Sequence, residues 1–145
     1  MIRPVDFLAL ANRLAGGASE AEWRTAVSRA YYAAFHVARR LLDDLGFRVP
    51  DGDQAHRYLW LRLSNCGDPH VQQAGSALNT LRGYRNRADY DLHSVFNQGP
   101  GAAQVRTADQ VIRTLHGIQN PVRTQITDTM KVYERDVLGD VTWRP

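Results

Sequence analysis

Residues Ser19–Leu45 read SEAEWRTAVSRAYYAAFHVARRLLDDL and form a long helical pattern that contains no glycine or proline. Ser19 and Glu22 match a capping box, in which the two side chains satisfy free amides at a helix start. Gly46 follows Leu45 as a stop signal. Apolar residues recur at helical spacing and predict one core-facing stripe. These residues are Trp23, Ala26, Val27, Ala30, Ala34, Val37, Ala38, Leu41 and Leu45.

Three shorter helices are predicted before and after this one in the sequence. A first helix is predicted over Pro4–Ala15, where the Gly16-Gly17 pair closes it. A third runs from about Gln54 to Asn65. Asp68-Pro69 then predicts a capping residue followed by a first-turn proline, at the start of a fourth helix that extends to around Asp91.

The last third of the chain begins with the segment Asn97–Gly101, whose glycines and proline predict a loop. After it, a helical pattern runs from about Ala103 to Leu138. Pro121 lies inside this pattern and predicts a kink or split, because proline removes a backbone donor and clashes with the preceding turn.

No stretch alternates with the two-residue period of a half-buried strand. The sequence therefore predicts an all-α fold, an antiparallel helical bundle of about five helices with the last one kinked or split. At 145 residues the chain has the length of one domain, so we expect a single domain over residues 1–145.

Composition narrows the range of functions. The chain is 43% hydrophobic and 23% charged, as in ordinary globular proteins. Its one cysteine, Cys66, excludes an internal disulfide and a cysteine-rich metal site. No apolar run is long enough to cross a bilayer, and polar residues interrupt the N-terminal segment as they would not in a signal peptide. We expect a cytoplasmic protein with no membrane partner.

Positive charge is concentrated in the middle of the chain. Five arginines and only one acid, Asp68, lie between Gln54 and Ala88. Of the 18 basic residues, all but Lys131 are arginine. The planar guanidinium suits phosphate recognition, although a GC-rich genome produces the same bias. The charge is compatible with a nucleic-acid partner.

Several familiar sites are missing from the sequence. It has no glycine-rich phosphate loop, no histidine pair at zinc-binding spacing and no nucleophile elbow. We therefore predict neither a metal nor a cofactor. The histidines are scattered along the chain, at His36, His56, His70, His93 and His116.

One polar stretch lies on the long second helix. Arg29, Tyr32 and His36, with Arg39 or Arg40, recur three or four residues apart, which predicts a polar and aromatic stripe beside the apolar one. The alternative interpretation is a solvated flank with buried tyrosine rings.

A second polar stretch, Leu81–His93, reads LRGYRNRADYDLH. On a helix that continues to His93, four side chains fall within a narrow arc and Arg85 lies at its border. The four are Arg82, Asn86, Asp89 and His93. The alternative is a pair of ordinary ion pairs, Arg85 with Asp89 and Arg87 with Asp91, since both are spaced four residues apart.

Taken together, three stretches resemble the HEPN family of helical bundles. They are SRAYYAAFHVAR on the second helix, His56 at the start of the third, and RNRADYDLH near the end of the fourth. The likeness covers roughly residues 5 to 135 and is closest to small stand-alone members with SRAYYA and R-x-x-A-D-Y motifs.

This resemblance implies a metal-independent endoribonuclease that acts as a homodimer, often as a toxin or phage-defence effector. The family signature is an arginine followed after a few residues by a histidine, and Arg87 and His93 fit that spacing. The histidine would act as general base or acid, and arginine would hold the scissile phosphate. Arg85 and Asp89 complete the predicted site, with Asp89 orienting His93 or holding an arginine.

A second register is possible from Arg85, and it places Tyr90 at the histidine position. On that register the base is missing, because a tyrosine with a pKa near ~10 is a poor base at neutral pH. Some HEPN toxins are silenced by a nucleotidyltransferase antitoxin that adds AMP to a nearby tyrosine. The resemblance suggests Tyr90 for that role, and the alternative is that Tyr90 packs against the second helix.

Three function classes remain open at this point. One is the endoribonuclease. The second is a non-catalytic HEPN module that binds a nucleotide, an RNA or a nucleotidyltransferase partner, with the RNRADY stretch as a binding edge. The third is a purely structural helical interaction protein with the same fold.

Overall fold

The computed structural model describes residues 1–145 and contains six α-helices and no strand. The helices are α1 (Pro4–Ala15), α2 (Glu20–Leu45), α3 (Gln54–Leu63), α4 (Pro69–Tyr90), α5 (Gln98–His116) and α6 (Val122–Tyr133), followed by a short π-helix (Glu134–Leu138). The predicted all-α bundle is confirmed. The count is six rather than five because the last pattern is split at Pro121, the residue just before α6.

Helix α2 lies at the centre of the bundle and contacts α1, α3, α4 and α5. Its start is capped by the Ser19 hydroxyl, which accepts a hydrogen bond from the Glu22 amide. The buried face of α2 is rich in alanine, and a methyl side chain allows neighbouring helices to approach closely. The alanines that are fully buried here are Ala26, Ala30, Ala33, Ala34 and Ala38.

The direction of each helix follows from its contacts. Ser28 contacts Asp89, and further along α2 Tyr31 contacts Arg85, so α2 and α4 run antiparallel as predicted. Helix α5 is the exception. Gln98 at its start donates to the carbonyl oxygen of Gly17 beside the start of α2, and His116 at its end lines a cavity with residues of the second half of α2. Helices α2 and α5 are therefore parallel.

The predicted loop over Asn97–Gly101 is wrong. Asn97 is the capping position of α5, and Gln98 through Gly101 form its first turn. Proline and glycine are tolerated there because the first amides of a helix have no partner within it. Gly101 packs against the ring of Phe96, where an added Cβ would lie 3.4 Å from the ring, close to an ordinary van der Waals contact.

The C-terminal residues fold back over α3 and the end of α2. Glu134 is fully buried, forms an ion pair with Arg62 at 2.8 Å and accepts hydrogen bonds from the amides of Thr142 and Trp143. The Trp143 indole donates to the carbonyl oxygen of Leu45. These contacts fix the tail against the bundle.

None of the six helices combines the length and the apolar character that a membrane-spanning segment needs.

Candidate functional site

Three stretches that are distant in sequence meet between α2, α3 and α4. The Tyr31 hydroxyl and His56 Nδ1 are hydrogen-bonded at 2.5 Å. The Arg85 guanidinium carbon lies 5.5 Å from the centre of the Tyr31 ring and 5.1 Å from that of Tyr32. Arg82 is close enough for its charge to act on His56. These five residues are called the motif cluster.

Local structure explains why these side chains converge. Tyr31 is on the core-facing side of α2, and its neighbour Tyr32 points about 100° away towards the partly open flank. His56 lies in the first turn of α3. Arg82 and Arg85 are three residues apart on α4, so they share one face, the face that contacts α2.

The two arginines of the motif cluster have no ionic partner, and Arg85 is buried whereas Arg82 is half-buried. Arg85 is 6% exposed, and the Nε atoms of both Arg82 and Arg85 are buried with no hydrogen-bond acceptor. Neither side chain takes part in a salt bridge. Because a buried donor without an acceptor costs about 1–3 kcal/mol, this arrangement suits a site that receives an anion.

The electrostatics of the cluster are consistent with that chemistry. Burial and the positive charges of Arg82 and Arg85 lower the pKa of His56. The imidazole is therefore neutral at physiological pH. Burial raises the pKa of Tyr31, which stays protonated. The cluster thus presents two fixed positive charges, a neutral imidazole and phenol hydroxyls, and the nearby carboxylate of Asp53 acts on the pKa of His56 in the direction opposite to the arginines.

The polar stripe predicted on α2 is only partly packed, since Arg29, Tyr32 and Arg39 are half-buried whereas His36 and Arg40 are exposed. The Arg29 guanidinium carbon lies 5.4 Å from the centre of the Phe7 ring and 5.3 Å from that of Tyr32. His36 stacks against Phe7 with ring centres 6.0 Å apart. The stripe therefore joins α1 to the open side of the motif cluster.

The predicted Arg87 and His93 pair falls at the end of α4, where the helix stops at Tyr90. His93 lies beyond the helix and is exposed. Arg87 is exposed as well, and its guanidinium carbon lies 5.5 Å from the centre of the Tyr84 ring. No hydrogen bond joins Arg87 to His93. Arg82, Asn86, Asp89 and His93 were expected to share one arc if the helix continued to His93. Because the helix stops at Tyr90, His93 does not belong to that arc.

Asp89 and Asn86 have simpler surroundings than the sequence suggested. Asp89 accepts a hydrogen bond from the Ser28 hydroxyl at 3.1 Å and is bonded neither to His93 nor to an arginine. Asn86 is exposed. The alternative ion pairs, Arg85 with Asp89 and Arg87 with Asp91, do not form either. Asp89 instead links the end of α4 to α2.

Tyr90 is 75% exposed, which removes the alternative that it packs against α2. Leu92 and Val95 on the same segment are each 74% exposed. Three large side chains with apolar surface thus face outward at the end of α4, beside His93. The three residues lie within six consecutive positions, and exposed apolar side chains mark a candidate surface for a partner.

Arg24 organises this segment, and sequence reasoning missed it. One terminal nitrogen of its guanidinium donates to the carbonyl oxygens of Arg87, Ala88 and Asp91, and the other donates to that of Ser94. The only signal in the sequence was Glu20, four residues earlier, whose carboxylate pairs with Arg24 at 3.1 Å. These bonds attach the end of α4 and the following segment to the start of α2.

No group of three or more His, Cys, Asp or Glu side chains comes together in a way that could hold a metal ion. The polar side chains of the motif cluster are those of arginine, histidine and tyrosine. Comparison with protein-family models, with curated proteins and with solved structures finds no match to this chain.

Proposed function

We propose that this protein is a HEPN-type, metal-independent endoribonuclease that binds an RNA phosphate at the motif cluster and works as a homodimer. One observation carries the proposal. The three stretches that resemble the HEPN motifs, although up to 57 residues apart in sequence between Ser28 and Arg85, meet in one cluster with two arginines that have no ionic partner and whose Nε atoms are buried without an acceptor. A toxin or phage-defence role in the cytoplasm is the biological setting that we infer.

The proposed reaction is attack by a ribose 2′-oxygen on the adjacent phosphorus. The new oxygen–phosphorus bond forms as the bond to the 5′-oxygen breaks, which leaves a 2′,3′-cyclic phosphate and a 5′-hydroxyl end. Arg85 and Arg82 hold the phosphate and balance the charge that builds on it. The proton of the 2′-hydroxyl passes to an imidazole, and the 5′-oxygen gains a proton from an acid.

His93 is the imidazole that we assign to this step, because it is exposed beside the partner-type surface of Tyr90, Leu92 and Val95. A homodimer formed through that surface brings two His93 side chains together, one as base and one as acid. Arg87 lies on the same segment and contacts the RNA backbone. His56 is 6% exposed, and in this proposal it orients Tyr31 below the phosphate.

The second candidate is a non-catalytic HEPN module that binds RNA or a nucleotide. The observation in its favour is the separation of Arg87 from His93 by the end of α4 at Tyr90. A nucleotidyltransferase partner is compatible with either candidate, since the exposed Tyr90 hydroxyl is accessible for addition of AMP, and the added phosphate would compete with RNA near Arg87.

The test is RNA cleavage by the purified protein in the presence of EDTA, with the RNA ends identified chemically. We expect cleavage that leaves 2′,3′-cyclic phosphate ends, and a rate about 10²–10⁴-fold lower for His93→Ala, as for the loss of a general acid or base. Arg106→Ala, an exposed arginine on α5 outside the site, is the matched control and should cleave normally.

RNA affinity measured across salt concentrations separates the two candidates. If the wild type binds without cleaving, and Arg85→Met lowers the slope of log affinity against log salt by about 0.7, the binding module is correct. If His93→Ala cleaves at the wild-type rate, the assignment of His93 is wrong. If the wild type neither binds nor cleaves RNA, both candidates fail.

A further inference from the structure

A cavity of about 630 Å³ lies between the start of α1, the second half of α2 and the turn from α5 to α6. It shares no residue with the motif cluster, and the proposed function makes no use of it. Its volume falls within the range of about 300–1,000 Å³ that is usual for small-molecule sites.

The inner part of the cavity is apolar. One aromatic ring and four aliphatic side chains line it, and most of them belong to the hydrophobic core or pack against it. These residues are Phe7, Val37, Leu41, Leu115 and Ile118. A ligand that fills this space gains free energy by removing apolar surface from water, at about 25 cal/mol per Å².

The rim of the cavity is cationic. Of its three arginines, Arg40 is paired with Asp44 at 3.2 Å, the one acid that lines the cavity. Arg3 is paired with Asp6 at 3.4 Å. Arg123, at the start of α6, has no partner for its guanidinium in any salt bridge or hydrogen bond. One uncompensated positive charge therefore borders the apolar space.

Two histidines complete the lining. Burial and the nearby charges of Arg39 and Arg29 lower the pKa of His36, so its imidazole is neutral near pH 7 and offers one N–H donor. His116 lies at the end of α5 on the same cavity. An anion in this position meets Arg123 and an imidazole donor without an opposing free carboxylate.

We propose that this cavity binds a small amphiphilic carboxylate, with its apolar body against the inner wall and its carboxylate against Arg123. The combination of a single free guanidinium with an apolar wall favours a singly charged ligand. It disfavours a highly charged nucleotide, because the other two arginines are already neutralised. The proposal is independent of the ribonuclease activity.

The test uses decanoate below its micelle concentration and the full-length protein, with binding followed by calorimetry and by NMR shifts of Phe7 and His36. Decyltrimethylammonium, with the same chain and the opposite charge, tests whether the anion matters. Arg123→Ala removes the free charge without breaking a contact, and Arg106→Ala is the matched control, since it lies outside the cavity.

We expect decanoate to bind to the wild type and to Arg106→Ala equally, and decyltrimethylammonium not to bind. Arg123→Ala should weaken decanoate binding about tenfold or more, the loss expected for one charge-assisted hydrogen bond. The proposal is overturned if decanoate does not bind, if the cation binds equally well, or if Arg123→Ala binds decanoate as tightly as the wild type.

Discussion

Two buried arginines of this protein lie over tyrosine rings, and only one of them has an acid beside it. The Arg62 guanidinium carbon is 3.4 Å from the centre of the Tyr58 ring, and its Nε donates to Glu134 at 2.8 Å. Arg85 is buried over Tyr31 and lacks a carboxylate. Since a buried charge without a partner is costly, the first arginine serves the fold, whereas the second keeps its charge available to a ligand.

Around Arg62, hydrogen bonds and an ion pair keep a buried carboxylate ionised. Burial on its own would raise the pKa of Glu134, but the hydrogen bonds from Thr142 and Arg62 together outweigh it and hold that pKa below its ordinary value. Glu134 thus stays ionised and joins α3 to the C-terminal tail. In the motif cluster neither Arg82 nor Arg85 has a salt-bridge partner.

The largest effect is expected from Glu134→Gln, which leaves Arg62 charged and buried without an anion. Breaking a buried pair in this way should lower the free energy of unfolding by about 3–5 kcal/mol, measured by urea denaturation. Asp136→Asn, in the exposed pair with Arg135, is the control and should leave the transition unchanged. If Glu134→Gln is as stable as the wild type, the ion pair between Glu134 and Arg62 does not stabilise the fold.

A smaller effect is expected from Arg24→Gln, which removes the charged donor shared by four main-chain carbonyls. We expect a loss of about 2 kcal/mol, the range for hydrogen bonds to a charged group. Hydrogen exchange should show reduced protection in residues 91–96, while α3 and the tail stay unchanged. Uniform loss of protection across the chain would contradict a local anchoring role and would make Arg24 a general core residue.

The smallest effect on stability is expected from Arg85→Met. No ion pair is broken, and the loss of cation–π contact, about 2 kcal/mol for a desolvated cation, is offset by removal of a buried donor that has no acceptor, which costs about 1–3 kcal/mol. The free energy of unfolding should therefore change by less than about 1 kcal/mol. Arg62→Met, which leaves Glu134 unpaired, is the matched comparison and should be far less stable by the same urea assay. If the two variants lose equal stability, the distinction between a structural and a ligand-binding arginine is wrong.

The helices were largely predictable because their signals are local. The capping box at Ser19 and the cap at Asp68 each satisfy amides within the same turn, and both are formed. The start of α5 was missed because glycine and proline usually mark a loop, but in the first helical turn they cost little.

The candidate site was predictable in its parts and not in its arrangement. The sequence indicated SRAYYA, His56 and RNRADY as related stretches, and the structure brings Tyr31, His56 and Arg85 into contact. The sequence predicted the end of the fourth helix near Asp91, and α4 ends at Tyr90. It could not indicate that Arg24 caps that end, because those bonds join residues more than 60 positions apart.

Sequence alone determined the helical class, most helix boundaries, the alanine-rich face of α2 and the residues available for chemistry, since periodicity and capping act within a few residues. The tertiary structure decided which arginine received a carboxylate, the parallel course of α5 beside α2, and the exposure of Tyr90 and His93. These outcomes depend on which helix surfaces pack against each other. Whether a charged side chain is buried, and whether it is paired, is set by residues from several segments and not by one segment alone.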